Sequence, residues 1–162
     1  LWIEDGRPYM VFCHEWLQVG DGEVCAMPLS DDLTTATGEP VVLFRASEPK
    51  WVRPVREATE FVTDGPFLYR TKTGALLMLW SSFGDRGYAE TVAQSSDGTL
   101  FGKWKQEEVP LMPENGGHGM LFTTFDGKLR LVLHAPNSPA GAERAHYFPI
   151  ADCGDHLALE LA

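Results

Sequence analysis

Three glycines, Gly6, Gly74 and Gly127, each stand between two short apolar segments, and superposing them exposes an internal repeat. Before these turns lie Leu1-Trp2-Ile3, Pro66-Phe67-Leu68-Tyr69 and Met120-Leu121-Phe122. After them come Tyr9-Met10-Val11-Phe12, Leu76-Leu77-Met78-Leu79-Trp80 and Leu129-Arg130-Leu131-Val132-Leu133. Alternating or continuous apolar runs of this length around a turn glycine predict a β-hairpin, three times over. A third strand is expected over Glu23 to Leu29, Tyr88 to Ala93 and Ala145 to Ile150, and an outer fourth over Pro40 to Phe44, Trp104 to Val109 and Leu157 to Leu161. Four antiparallel strands recurring at roughly 50 residues read as a propeller blade. The expectation is an all-β chain of about three four-stranded antiparallel blades, over residues 1–48, 62–112 and 117–162. Arg45 to Glu60, with Pro49, Pro54 and several charges, reads as a long link between the first two blades rather than a helix.

Three blades leave a propeller ring open, with exposed strand edges and an unfilled centre. Leu1-Trp2-Ile3 starts inside an apolar segment without an initiator methionine, so further N-terminal blades are expected upstream. The other way to close the edges is a homo-oligomer. With 162 residues, 44% of them apolar, the chain suffices for one folding unit with a core. Its 13 lysines and arginines face 23 aspartates and glutamates, so a formal charge of −10 argues against a nucleic-acid partner. No apolar run approaches the roughly 20 residues that span a bilayer, and no signal-peptide pattern opens the chain, so no membrane partner is expected. Cys13, Cys25 and Cys153 lack metal-ligand spacing and are expected as thiols, although Cys13 and Cys25 could be neighbours across a hairpin.

A hairpin brings the start of its first strand beside the end of its second, so the repeat defines one rim. Pairing about the second turn sets Asp64 opposite Ser81, and pairing about Asp126 sets His118 opposite His134. Asp64-Gly65-Pro66 and His118-Gly119-Met120 then occupy equivalent places, with Cys13, Ser81 and His134 in one column and His14, Ser82 and Ala135 in the next. All are expected to face a common mouth.

Thr63-Asp64-Gly65-Pro66-Phe67-Leu68 followed by Leu79-Trp80-Ser81-Ser82 resembles the general-acid blade of glycoside hydrolase family 43. Gly117-His118-Gly119, Asp126-Gly127-Lys128 and Leu133-His134 resemble that family's last blade, which carries a central histidine that often helps hold calcium or water. The resemblance covers nearly the whole chain. It implies the C-terminal part of a five-bladed propeller, with the two motifs in the fourth and fifth blades and an arabinose- or xylose-containing oligo- or polysaccharide as substrate. It places Asp64 as the general acid of an inverting hydrolysis and His118 as the residue that reaches calcium through water. The family usually has glutamate at the position of Asp64, and a shorter side chain sets the acid about one methylene back. Its catalytic base belongs to the first blade and its third carboxylate starts the third, which by the repeat falls just before Leu1. This chain alone is therefore expected to be inactive. As the acid, Asp64 needs its pKa raised by burial and a neighbouring carboxylate.

Against these readings stand plainer ones. Aspartate before glycine is ordinary turn chemistry, and a lone histidine is most often a hydrogen-bonded structural residue. His14, Glu15 and Trp16 end a strand at the expected mouth and are candidate sugar contacts, with Trp16 as a stacking platform; Ser81, Ser82, Phe83 and His134 join them. Trp80 reads as core, and Trp51 as either a sugar contact or cover for a neighbouring blade. Glu57 and Glu60 rival Asp64 as acids but precede the strand, where solvated charge is the default. The other function consistent with these residues is a noncatalytic carbohydrate-binding or interaction propeller.

Overall fold

A computed structural model describes residues 1–160 of the chain. Twelve strands form three four-stranded antiparallel sheets in sequence order. The first holds β1 (Trp2–Glu4), β2 (Arg7–His14), β3 (Glu23–Pro28) and β4 (Val41–Arg45). The second holds β5 (Asp64–Arg70), β6 (Leu76–Gly84), β7 (Gly87–Ser95) and β8 (Trp104–Gln106). The third holds β9 (Gly117–Thr123), β10 (Leu129–Ala135), β11 (Arg144–Asp152) and β12 (Leu157–Leu159). These are the expected propeller blades, and the turn chemistry explains their hairpins: Glu4 pairs with Arg7 across Asp5-Gly6, both at positive φ (49° and 76°), as a two-residue hairpin loop requires. The expected fourth strand of the third blade ends at Leu159, and residue 161 lies outside the described residues. The second blade's outer strand is shorter than expected, stopping at Gln106.

The second blade is sandwiched between the other two, and its inner strand shows it. Leu76 to Ser82 are all buried, the pattern of a strand covered on both faces. Alternate residues serve different neighbours. Leu76, Met78 and Trp80 pack with Val24, Ala26 and Phe44 of the first blade, while Leu77 and Leu79 pack with Leu121, Leu131, Leu133 and Ile150 of the third. The flanking blades are covered on one face only: Ile3 and Met10 of the first, and Met120 and Tyr147 of the third, are exposed apolar residues.

Two details depart from the sequence expectation. His14 ends β2, and Trp16 opens a single helical turn, α1 (Trp16–Val19), instead of ending a strand. Cys13 lies opposite Val24 and Cys25 opposite Phe12, so the two thiols point to opposite faces of the sheet and cannot bond; all three cysteines are free.

Candidate active site

At the start of β5, Asp64 pairs with Ser81 as expected, but the next pair is Phe67 with Leu79, leaving Gly65 and Pro66 opposite Trp80 alone. β9 repeats this two-against-one bulge: Gly117 pairs with His134, Met120 with Val132, and His118 and Gly119 are left over. The structural equivalent of Asp64 is thus Gly117, and that of His118 is Gly65. Their backbones agree, with φ of 54° at Gly65 and 57° at His118. The expected pairing of His118 with His134 is therefore shifted by one residue, because a bulge absorbs a residue that simple hairpin counting cannot see. Glycine adopts this left-handed conformation freely; histidine does so at a cost and must be held there.

The shift brings the two motifs into contact. His118 Nδ1 lies 3.2 Å from Asp64 Oδ1, and Tyr88 Oη donates to Asp64 Oδ2 at 2.7 Å. A side chain at Gly65 would collide with the His118 ring, its Cβ falling 2.9 Å from Cδ2, so only glycine lets the blades close this far. Burial pushes the Asp64 carboxyl up, yet the hydrogen bonds from His118 and Tyr88 and the imidazolium charge outweigh it and hold the carboxyl below its usual range. The same hydrogen bond raises the imidazole, against its burial. Each partner favours the charged form of the other, carboxylate and imidazolium, whereas a lone general acid would need its carboxyl raised.

Asp64 opens onto a cavity of about 630 Å³ whose wall includes Glu15, Trp16, Arg53, Phe83, Tyr88 and His134. His134 stacks on the Tyr88 ring at 5.4 Å and bonds Asn137 through Nε2. Trp16 offers one face only, since the Arg56 guanidinium lies 4.3 Å over its ring. Of the expected sugar contacts, Glu15, Trp16, Phe83 and His134 meet here, and His14, Ser81 and Ser82 do not. His14 lies on the other face of its sheet and bonds Glu23 at 2.9 Å. Ser81 and Ser82 are fully buried, Ser82 donating to the Val62 carbonyl and Ser81 to a carboxyl of Glu90. Hydroxyls two and three residues inside the strand face the neighbouring sheet and the link instead of the opening. Trp51 packs against Trp80 with ring centroids 6.1 Å apart. Glu57 is exposed, and Glu60 is taken by Arg56 at 3.2 Å.

The sequence reading missed Tyr88, Glu90 and Asn137. A glutamate inside the apolar run Tyr88-Ala89-Glu90-Thr91-Val92-Ala93 was the available signal: alternation puts Tyr88, Glu90 and Val92 on one face, the face of Ser81. Burial pushes the Glu90 carboxyl up to about 8, against the lowering effect of hydrogen bonds from Ser81 and Gly119.

A hydrated calcium ion at His118 would find few ligands in this chain. Hard cations take six to eight oxygens, while His118 commits Nδ1 to Asp64 and offers one ring nitrogen more. Among the described residues, the group close enough to hold a metal is His14, Glu23 and Cys25, elsewhere in the first blade, and there Arg45 already neutralises Glu23 at 2.7 Å. The donors around His118 therefore do not by themselves make a calcium site.

Stacked four-stranded blades with a carboxylate at the mouth of a sugar-sized cavity define a propeller of the glycoside hydrolase kind. The model of glycosyl hydrolases family 43 matches residues 1–150, and the chain belongs to this family. An endo-arabinase from Bacteroides thetaiotaomicron is 43% identical with a TM-score of 0.85, over 92% of this chain and 53% of that one. A thermostable family-43 glycoside hydrolase (22% identity, TM-score 0.82, 99% of this chain and 56% of that one) shares the fold. So does an α-L-arabinofuranosidase from Lactobacillus brevis (18% identity, TM-score 0.75, 99% and 54%). The chain thus spans a little over half the length of these structures. No curated protein sequence gives a significant match.

Proposed function

We infer that this chain is part of a glycoside hydrolase that cleaves arabinose- or xylose-containing glycans with inversion, and that Asp64 is its proton-delivering carboxylate. The observation that carries this is the Asp64–His118 contact at 3.2 Å beside the cavity. The contact favours a proton on the imidazole over one on the carboxyl. As the glycosidic C–O bond lengthens, Asp64 Oδ1 takes the proton from His118 Nδ1 and passes that same proton to the leaving oxygen, so that His118 ends neutral and Asp64 is again a carboxylate. Tyr88 keeps Oδ2 in place throughout. A base carboxylate on the opposite side of the sugar, contributed from outside these residues, takes the proton of the attacking water; an inverting site leaves roughly 6.5–9.5 Å between the two carboxyls for that water. Without that base the chain by itself is inactive. The exposed apolar faces of the first and third blades are where further blades of the parent propeller pack, or failing those a second copy.

The ionised state of Asp64 also favours a second reading, a noncatalytic propeller in which the pair only binds a sugar hydroxyl. Hydrolysis of aryl arabinofuranoside and aryl xyloside by the full-length protein and its Asp64→Asn variant separates the two. A loss of at least about a hundredfold in kcat supports the proton-delivery role, and an unaltered rate removes Asp64 from the mechanism.

A further inference from the structure

The two residues that the β9 bulge leaves without strand partners, His118 and Gly119, carry consecutive backbone N–H groups. Neither is orphaned. The His118 N–H donates to Ser81 Oγ at 2.7 Å, the Gly119 N–H donates to Glu90 Oε2 at 3.0 Å, and Ser81 Oγ–H donates to the same Oε2 at 2.5 Å. One fully buried carboxyl group, on a strand of the second blade, thus collects the whole bulge of the third, half directly and half through a serine. The fit is close: a Cβ at Gly119 would fall 2.8 Å from Glu90 Oε1, and one at Gly117 would fall 2.6 Å from the Tyr88 ring and 2.8 Å from Ser81 Oγ. These backbone bonds hold a non-glycine residue at φ 57° here.

We propose that Glu90 is a positioning residue, which with Ser81 clamps the His118–Gly119 bulge and so aims the His118 ring at Asp64. Its part in catalysis rests on the hydrolase reading above; its part in placing the ring does not. Glu90 is not part of the cavity lining, its side-chain hydrogen bonds go to Ser81 and the Gly119 N–H, and it acts through the backbone it holds.

The test compares Glu90→Gln, which keeps an acceptor oxygen in place, with Glu90→Leu, which removes it at similar volume. Leu131→Ala, in the same inter-blade core, serves as a control for simple destabilisation. Two quantities are read by NMR on the substrate-free chain: amide exchange at His118 and Gly119 against that at Leu131 and Leu133, and the nuclear Overhauser contact between Gly65 Hα and His118 Hδ2. In the Leu variant the two bulge amides are expected to exchange at least about tenfold faster while the β10 amides hold, and the Gly65–His118 contact is lost; the Gln variant retains both. Retention of the contact in the Leu variant overturns the proposal, as does its equal loss in Leu131→Ala, which would make Glu90 merely structural, or in Glu90→Gln. If the Leu variant does not fold, Ser81→Ala carries the test: the His118 amide alone should lose protection, and an unchanged His118 amide is the contrary result. Because no substrate is present, failure of the Asp64→Asn rate test leaves these outcomes standing, and their failure leaves that one.

Discussion

The second blade shows its two neighbours different faces. Towards the first blade it presents Met78, Trp80 and Ala93 against Phe44 and Val24, with Phe44 and Trp80 ring centroids 5.2 Å apart. Towards the third it presents Leu77, Leu79 and Val92, and then, in the same alternation and nearer the rim, Ser81, Glu90 and Tyr88. One face is an aromatic core whose polar groups are few; the other changes along its length from apolar to a chain of hydrogen bonds ending at Asp64. The same two strands make both. A sheet buried on both sides can therefore keep a stabilising apolar core on one face and a hydrogen-bonded polar chain on the other, because a period of two never mixes them. Trp80→Ala tests the first half of that claim and should have the largest effect. The indole is fully buried, and its Nε1 donates to Gln106 at 3.1 Å. Urea unfolding should show a loss of about 3–5 kcal/mol, and a loss below about 1 kcal/mol would mean that this face is not the stabilising one.

On the other face the expected effect depends on pH. Glu90 ionises less readily folded than unfolded, its pKa rising from 4.5 to about 8. A carboxyl raised in this way adds stability below its unfolded pKa, and that stability drains away as pH climbs through the folded value. Glu90→Gln cannot ionise and escapes the loss. Between about pH 5 and pH 8.5 the variant should gain on the parent by on the order of a few kcal/mol in unfolding free energy. A difference that stays flat with pH would show that Glu90 is ionised in the fold and paired after all. Glu90 also interacts by charge with Asp64 and His118, so the pH dependence of the difference belongs to the three groups together.

How legible was this in the sequence? The apolar face was almost fully so. Turn glycines, alternation and the continuous run at Leu76 to Trp80 placed the inner strands, and Asp64 opposite Ser81 came from counting alone. The polar face was legible only in part. Asp64 and His118 do share one site, but the bulges that bring them together are backbone events: His118 at φ 57° looks in sequence like any strand residue. Tyr88 reaches Asp64 across 24 positions, a contact fixed by how β5 and β7 flank β6 and by no local motif. Ser81 and Ser82 misled for the same reason, since two adjacent hydroxyls near a strand end look like a mouth until the depth of burial is known. Arg53 and Arg56, which reach the cavity from the link, carry no periodicity at all.

An exposed ion pair, Arg53 with Asp85, lies near the buried Ser81–Glu90 pair. Arg53 grips Asp85 with two parallel bonds, Nε to Oδ1 at 2.7 Å and Nη2 to Oδ2 at 3.0 Å, geometry at least as good as that between His118 and Asp64. Yet the Asp85 side chain is 72% exposed, so water and salt compete for every charge it offers. Arg53 is also held independently: its backbone N–H donates to the Phe83 carbonyl, and its guanidinium to the carbonyls of Lys50 and Val52. Asp85→Asn should therefore cost less than about 1 kcal/mol, measured by urea unfolding, and the cost should shrink further at high salt. If the loss instead exceeded about 2 kcal/mol and ignored salt, the mouth of the cavity would have to be drier than its exposed surface implies. Burial, and not bond geometry, would then no longer be what separates the polar chain under Asp64 from the ion pair at its edge.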